Sequence, residues 1–114
     1  METLKISKIF SSTPGPRSRK EGSFSGQQFR EEILAPAIKK AIDNNEILIV
    51  NIDGTAGYGP SFIEESFGGL IREDHIPYQT LIAHLQIVSI EEPYLIDDAN
   101  KDMKDAESYS EQLV

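Results

Sequence analysis

The sequence predicts a small α/β fold, in which helices pack against a sheet of few strands. Segments with strand patterning alternate with segments of helical periodicity along the chain, which is typical of this class. The run ILIV at residues 47–50 is apolar without alternation and indicates a central, parallel strand that is buried on both faces. The length of 114 residues, without a repeat or a linker, predicts one domain over residues 1–114.

The first third of the chain predicts a strand, a loop and a helix. Residues 3–10, TLKISKIF, alternate imperfectly and indicate a strand. Residues 11–24 contain two prolines and two glycines, which favour a loop or a short edge hairpin. Ser25 opens an S-x-x-Q capping box, and an apolar helical face follows it. Pro36 lies inside this pattern, so the helix either kinks near residues 32–35 or stops and restarts with the proline in its first turn.

The middle of the chain predicts the clearest strand and a second helix. The strand covers residues 47–53, ILIVNID. The helix is expected from about residue 62 to residue 72, because Ser61 and Glu64 form an S-x-x-E capping box at its start. Gly68-Gly69 lies inside this helix, which is tolerable where the bare backbone approaches another part of the structure closely.

The last third predicts a turn and a short helix within residues 73–83, and a further strand at residues 85–90, LQIVSI. A C-terminal helix is expected over residues 94–114. Its final part is acidic, so we expect that end to fray.

Composition excludes several function classes. Nineteen acidic and eleven basic side chains give a net charge of −8, which repels phosphate backbones, so we expect no nucleic-acid partner and favour a cation-rich protein surface. The chain has no cysteine, which excludes disulfides, thiolate metal sites and a cysteine nucleophile. No apolar run reaches about 18 residues, and METLKISKIF is too polar for a signal peptide, so a cytoplasmic protein without membrane contact is predicted.

The loop at residues 54–61, GTAGYGPS, resembles the phosphate-binding pattern G-x-x-x-x-G-K-[ST] except that Pro60 replaces the lysine. No lysine or arginine lies within residues 51–71 to replace it, and Asp53 adds negative charge. A sharp strand-to-helix turn explains the glycines better. A small-ligand or nucleotide-binding domain that uses this loop remains the alternative function.

Other residues that often carry chemistry form no recognisable site. His75 and His84 are nine residues apart without a metal-binding context, so we expect no metal and no cofactor. Asp53 at the end of its strand is either a functional carboxylate or a turn cap. No nucleophile, base and orienting group occur together, and we therefore expect no enzyme. Arg17 belongs to a basic stretch with Arg19 and Lys20, which is either an anion or partner contact or a solvated loop.

Two stretches, SGQQFREEILAPAIKKA and ILIVNIDGTAGYGPSFIEESFGGLIRE, resemble the STAS-like domain family of small bacterial proteins. The resemblance rests on S-G-x-x-F-R, on a strand that ends in D-G, and on S-F-x-E-x-x-F-G-G-L. It covers roughly residues 14–73 and includes an arginine best matched by Arg17. It implies a small mixed sheet with helices packed against it, as in the anti-sigma-factor antagonists.

In those antagonists, the second serine of a D-S-S-G motif is phosphorylated by a partner of the histidine-kinase-like ATPase class. Ser66 matches that serine, while Glu65 and Phe67 replace the first serine and the following glycine. The resemblance therefore implies a regulatory interaction module with a phospho-switch at Ser66, or at Ser61. The expected partner is such an ATPase, and assembly of the chain with itself stays open. The expected partner-binding residues are Arg17, Thr55, Tyr58, Glu64, Glu65 and Phe67.

Overall fold

The computed structural model describes residues 2–112 and has the predicted α/β fold. Its sheet contains three strands in the order β1-β2-β3, which run over Glu2–Lys5, Leu48–Asn51 and Leu85–Val88. Both pairings are parallel. The resemblance implied a mixed sheet, but the sheet of the described residues is parallel throughout. The apolar run of residues 47–50 places β2 at the centre, as predicted. Its burial alternates, however: Leu48 and Val50 are fully buried, and Ile49 between them is half-buried.

Helices surround the sheet and account for most of the described chain. Two of the longer ones contain a turn of π-helix, and we refer to them by their full extent as helix 26–43 and helix 60–72. The α-helical segments are Ile6–Ile9 (α1), Gly26–Phe29 (α2), Ala35–Asp43 (α3), Pro60–Ile63 (α4), Gly69–Arg72 (α5), Tyr78–His84 (α6) and Tyr94–Gln112 (α7); a 3₁₀ helix covers Arg19–Glu21. None of the described helices is long and apolar enough to cross a membrane.

The first strand is shorter than the predicted range of residues 3–10. It ends at Lys5, and α1 follows directly, because the N–H groups of Phe10 and Ser11 both donate to the Ile6 carbonyl at 3.0 Å. This turn brings the Phe10 ring to 5.3 Å from that of Phe29, centre to centre. Aromatic packing in the core therefore overrides the strand pattern here.

Helix 26–43 begins as predicted, since the Ser25 hydroxyl accepts a hydrogen bond from the Gln28 N–H at 3.0 Å. The helix neither stops nor restarts at Pro36. Residues Arg30–Leu34 form a π-helical turn in which the Ala35 N–H donates to the Arg30 carbonyl, five residues back. The proline lies directly after this wider turn, so the hydrogen-bond register has already changed before the residue that lacks an N–H.

Helix 60–72 begins earlier than predicted. Pro60 occupies its first turn and Gly59 is its N-cap, so the predicted Ser61–Glu64 capping box is wrong. The physical reason is that the Glu64 carboxylate bonds to arginine side chains and does not reach back to the helix start. A second π-helical turn covers Glu64–Gly68, and α5 completes the helix.

The core extends from the sheet through helix 60–72 to α7. Phe62, Phe67 and Leu70 of helix 60–72 are fully buried, and α7 covers the helix on its other side. The α7 residues that pack inward are Leu95, Ala99, Met103 and Ala106. Helix α7 is described as far as Gln112, and the last part of the predicted fraying tail lies outside the described residues. Helix 60–72 is therefore enclosed between the rest of the core and α7, so that few of its side chains are exposed.

Candidate functional site

The main polar feature of the fold is a group of paired side chains, which we call the arginine–carboxylate cluster. It forms where the loop of residues 11–24, helix 26–43 and helix 60–72 meet. Three cations and three anions converge there. Its members are Arg17, Arg30, Arg72, Glu64, Glu65 and Asp74.

Glu64 lies between two arginines and links the outer part of the cluster. It accepts hydrogen bonds from Arg17 and from Arg72, whose Nη2 lies 3.1 Å from Oε1. Burial raises the pKa of Glu64, but the hydrogen bonds from Arg72 and Arg17 outweigh it and hold the pKa below its usual value. Glu64 therefore stays ionised at neutral pH. It serves as the anchor of two cations and not as a proton donor.

Arg30 forms the inner part of the cluster and is only 5% exposed. Its guanidinium donates to Glu65 at 3.0 Å and to Asp74 at 2.8 Å. Gly69 faces this side chain, and a Cβ atom there would lie 2.6 Å from the Arg30 Nε. The glycine pair inside helix 60–72 is thus explained, because the bare backbone at position 69 makes room for a buried arginine. Gly68 likewise faces Glu64, and a Cβ atom there would clash with its carboxylate.

Local structure positions each member of the arginine–carboxylate cluster. The loop of residues 11–24 folds along the start of helix 26–43, where the Pro16 carbonyl accepts from the Gly26 N–H and the Arg17 carbonyl accepts from Gln27. These bonds satisfy free N–H groups at the helix start and fix the base of the Arg17 side chain. Arg30 opens one π-helical turn, and Glu64 opens the other. Such turns frequently occur at functional sites.

Two of the predicted site residues, the phospho-switch candidate Ser66 and the partner-binding candidate Phe67, are inaccessible. Ser66 and Phe67 are both 0% exposed, because this part of helix 60–72 is covered by the core on one side and by α7 on the other. The Ser66 hydroxyl has no hydrogen-bond partner among the described residues. In this conformation no kinase can reach Ser66, and Phe67 cannot contact a partner. Both expectations are corrected by the structure.

The glycine loop of residues 54–61 is held by its own side chains. The Thr55 Oγ1 accepts from the Gly57 N–H at 3.2 Å, and the Tyr58 hydroxyl donates to the Ile52 carbonyl at 2.7 Å. Burial is the main cause that raises the pKa of Tyr58 to about 12. Thr55 and Tyr58 remain partly accessible at the loop surface, and Ser61 beside them is exposed.

Two open questions about polar residues are answered by their hydrogen bonds. Asp53 caps a turn: its carboxylate accepts from the N–H groups of Ile90 and Glu91, both at 2.9 Å. The basic stretch near Arg17 is neutralised in part, since Arg19 lies 3.0 Å from carboxylates of Glu31 and of Glu32. Within residues 2–112, no group of histidine, aspartate and glutamate side chains could hold a metal ion.

A cleft beside the glycine loop was not predicted. It has a volume of about 290 Å³ and lies between the loop, helix 60–72 and α7. Tyr58 and Tyr94 contribute aromatic walls, while Asp98 and Asp102 contribute carboxylates. Burial raises the pKa of Asp102 to about 6, and the nearby Glu64 and Asp98 add to the effect. Lys101 also lines the cleft, but its ammonium group pairs with Asp105 at 2.7 Å. The two carboxylates therefore outweigh this cation, and the cleft favours cations over phosphates.

The sequence also did not indicate Arg30, Arg72 or Asp74 as site residues. Arg30 carried a usable signal, because it shares the helical phase of the buried Leu34 and Ile38. A charge in the apolar phase of a helix predicts a buried ion pair. Arg72 and Asp74 carried no comparable signal, since arginine and aspartate are common at helix ends.

Comparisons with known proteins add the family. Residues 25–95 match a STAS-like domain of unknown function, DUF4325. The comparison with curated proteins gave no match, and neither did the comparison with solved structures. The matched segment includes both π-helical turns, the glycine loop, and strands β2 and β3. It leaves out β1 and ends where α7 begins. The chain therefore belongs to the DUF4325 family of STAS-like domains.

Proposed function

We propose that this STAS-like chain is a non-catalytic regulatory module that binds a protein partner. The binding surface would combine the exposed rim of the arginine–carboxylate cluster with the loop of residues 54–61. The proposed partner is an ATPase of the histidine-kinase-like class, and this choice rests on the resemblance to anti-sigma-factor antagonists. The observation that carries the proposal is the convergence of three chain segments at one charged surface.

The burial of helix 60–72 narrows this surface. Its accessible polar side chains are Ser61, Glu64 and Arg72, and Arg17 joins them from the neighbouring loop with 39% of its side chain exposed. Glu65 is only 12% exposed and contributes little to the surface. The paired charges at this rim are arranged in a fixed geometry by their mutual bonds. Such a preorganised polar surface favours recognition of a partner with matching charges more than it favours raw affinity.

The geometry also supports a role without catalysis. Ser61 is exposed, and no base contacts it among the described residues, while Ser66 is buried and unpartnered. The histidines lie in other elements: the His84 ring bonds to the Glu46 carbonyl at 2.8 Å. A nucleophile, a base and an orienting group are thus not brought together in this part of the structure.

If a phospho-switch operates, the accessible residue for it is Ser61. It occupies the second position of helix 60–72, where the helix dipole and free N–H groups stabilise a phosphate. The added charge of roughly −2 would then lie at the edge of the proposed surface. It would repel an acidic partner surface and attract a basic one.

The test is affinity purification of the tagged chain from its native host, with mass spectrometry of co-purifying proteins and of phosphopeptides. Arg17→Glu reverses a charge at the rim, and Lys39→Glu makes the same change on an exposed part of helix 26–43 away from the cluster. We expect an ATPase to co-purify with the wild type and with Lys39→Glu but not with Arg17→Glu. Equal recovery with both variants, or no partner at all, would contradict the proposal.

A ligand-binding domain is the second candidate function, and the 290 Å³ cleft favours it. Its carboxylates and tyrosines suit an organic cation and not the nucleotide that a phosphate loop would take. Thermal-shift measurements with a panel of amines and nucleotides test this candidate. A stabilising amine whose effect is lost in Asp98→Asn would support it, and no shift with any compound would argue against it.

A further inference from the structure

The free edge of the sheet at β3 has the features of a strand-pairing site. Strand β3 has the sequence LQIV, without a charge, a proline or a glycine. It packs mainly against β2 and α6, and no further strand lies beyond it among residues 2–112. Natural proteins usually protect such an edge, because unpaired backbone groups are a template for another strand.

The register shows which backbone groups are unpaired. The Ile52 N–H donates to the Val88 carbonyl at 2.9 Å, so the backbone groups of Val88 face β2. Because N–H and C=O of one residue point the same way and alternate along a strand, those of Gln86 also face β2. The corresponding groups of Leu85 and Ile87 then point away from the sheet.

The other edge of the sheet is protected in the usual way. Strand β1, with sequence ETLK, carries a glutamate at its start and a lysine at its end. Helix α1 follows it without a linker and contacts it. Only β3 therefore combines free backbone groups with an uncharged strand in the described structure.

We infer that β3 pairs with β3 of a second copy of this chain, antiparallel, about a twofold axis at Gln86. In this arrangement Leu85 of each copy lies opposite Ile87 of the other, and the outward N–H and C=O groups form four hydrogen bonds. The two three-stranded sheets become one continuous sheet of six strands. Parallel addition cannot be related by a twofold axis of this kind, and a closed dimer needs such an axis.

The side chains of β3 match each other under this symmetry. Leu85 and Ile87 lie on the same face as the buried Leu48 and Val50, so pairing extends that core face across the dimer. Gln86 projects from the opposite face and is exposed, and its amide meets its symmetry copy. Ile82 on α6, which precedes the strand directly, is 41% exposed.

The self-complementary register of the β3 edge is what favours a second copy. The whole chain carries −8, so two copies repel each other over most of their surfaces. The β3 edge is uncharged and brings no like charges into contact. Self-pairing needs only hydrogen bonds and apolar contact, and the opposition of Leu85 and Ile87 in the twofold register supplies both. Because the strand has four residues and each copy carries −8, we expect a weak dimer that forms only at high protein concentration.

Sedimentation of the full chain over a concentration series, compared with two charged variants, tests the pairing. Gln86→Lys places two ammonium groups opposite each other at the axis, and Gln86→Glu places two carboxylates there. We expect the wild type to dimerise, each variant alone to be monomeric, and an equimolar mixture of the two to recover the dimer. Thr3→Lys at the β1 edge is the matched control and should leave the dimer intact.

A covalent trap tests the same geometry independently of dimer affinity. The chain has no cysteine, so Gln86→Cys introduces a single thiol at the axis, where paired Cα atoms lie about 4.5–5.5 Å apart, within disulfide range. We expect rapid disulfide-linked dimers of Gln86→Cys under mild oxidation, and none with Thr3→Cys. A wild type that stays monomeric at millimolar concentration, a dimer that Gln86→Lys does not weaken, or equal cross-linking at positions 3 and 86 would overturn the inference.

Discussion

Arg30 and Glu65 form an ion pair that is nearly closed to solvent, with Nη2 of the arginine 3.0 Å from Oε2 of the glutamate. Their side chains are 5% and 12% exposed. The pair joins the π-helical turn of helix 26–43 to that of helix 60–72. The same arginine also holds Asp74 just beyond the end of helix 60–72. One buried cation thus fixes the relative position of two helices and of the site that they form.

Truncation of Arg30 should destabilise the fold strongly. Arg30→Ala leaves the carboxylates of Glu65 and Asp74 without their partner in a poorly solvated place, and we expect a loss of about 3–5 kcal/mol in the free energy of unfolding. Urea denaturation followed by circular dichroism measures it. Arg19→Ala is the control, because Arg19 forms exposed ion pairs whose loss should change stability only slightly. Similar losses for the two variants would contradict the structural role of Arg30.

A methyl group at position 69 should reveal the close approach of Arg30. In an open helix, Gly→Ala stabilises by about 1 kcal/mol, but here the new Cβ atom would lie 2.6 Å from Nε and 2.7 Å from Cδ. We therefore expect Gly69→Ala to lower the melting temperature. Gly59→Ala is the matched control, since its Cβ position has no neighbour within 4 Å and should change stability by less than about 0.5 kcal/mol. A more stable Gly69→Ala protein would show that Arg30 moves freely.

Neutralisation of Asp102 should stabilise the protein in a pH-dependent way. Burial raises the folded-state pKa to about 6 from the ordinary 3.8, so ionisation of Asp102 opposes folding. This penalty is fully present above pH 6 and disappears only as the pH falls below the ordinary pKa of 3.8, where both states are protonated. We expect Asp102→Asn to be more stable by an amount on the order of 1 kcal/mol at pH 7.5, because partial exposure screens the effect.

Thermal unfolding of the wild type and of Asp102→Asn at a series of pH values measures this difference. The two curves should approach each other below pH 6 and converge only below the ordinary pKa of 3.8. A constant difference over the whole range would mean that the asparagine acts through packing and not through charge.

Ser66 should tolerate removal of its hydroxyl but not addition of a charge. The Oγ atom is buried without a partner, so Ser66→Ala should leave stability unchanged or raise it by up to about 1 kcal/mol. Ser66→Asp buries a carboxylate and should destabilise by several kcal/mol, whereas Ser61→Asp on the exposed helix start should not. Equal stability of the two aspartate variants would show that Ser66 is reached by solvent.

Local sequence patterns predicted much of the fold, because strands and helix starts depend mainly on residues that are close together in the chain. The apolar run at residues 47–50 identified the central parallel strand, and Ser25 identified a helix start. Local patterns failed where distant contacts compete with them. Phe10 turns the chain out of β1 to join the aromatic core, and Glu64 bonds to two arginines in place of a capping box.

By itself, the sequence determined the α/β class, the order of the elements and the strand-to-helix turn with proline in place of lysine. Only the tertiary structure decided which residues of helix 60–72 reach solvent. A single helix reveals one apolar face through its periodicity, but not that α7 will cover a second face and bury Ser66. It also cannot reveal that Arg17, Arg30 and Arg72 converge on carboxylates from another segment. Such pairings depend on distances between elements, which local sequence does not encode.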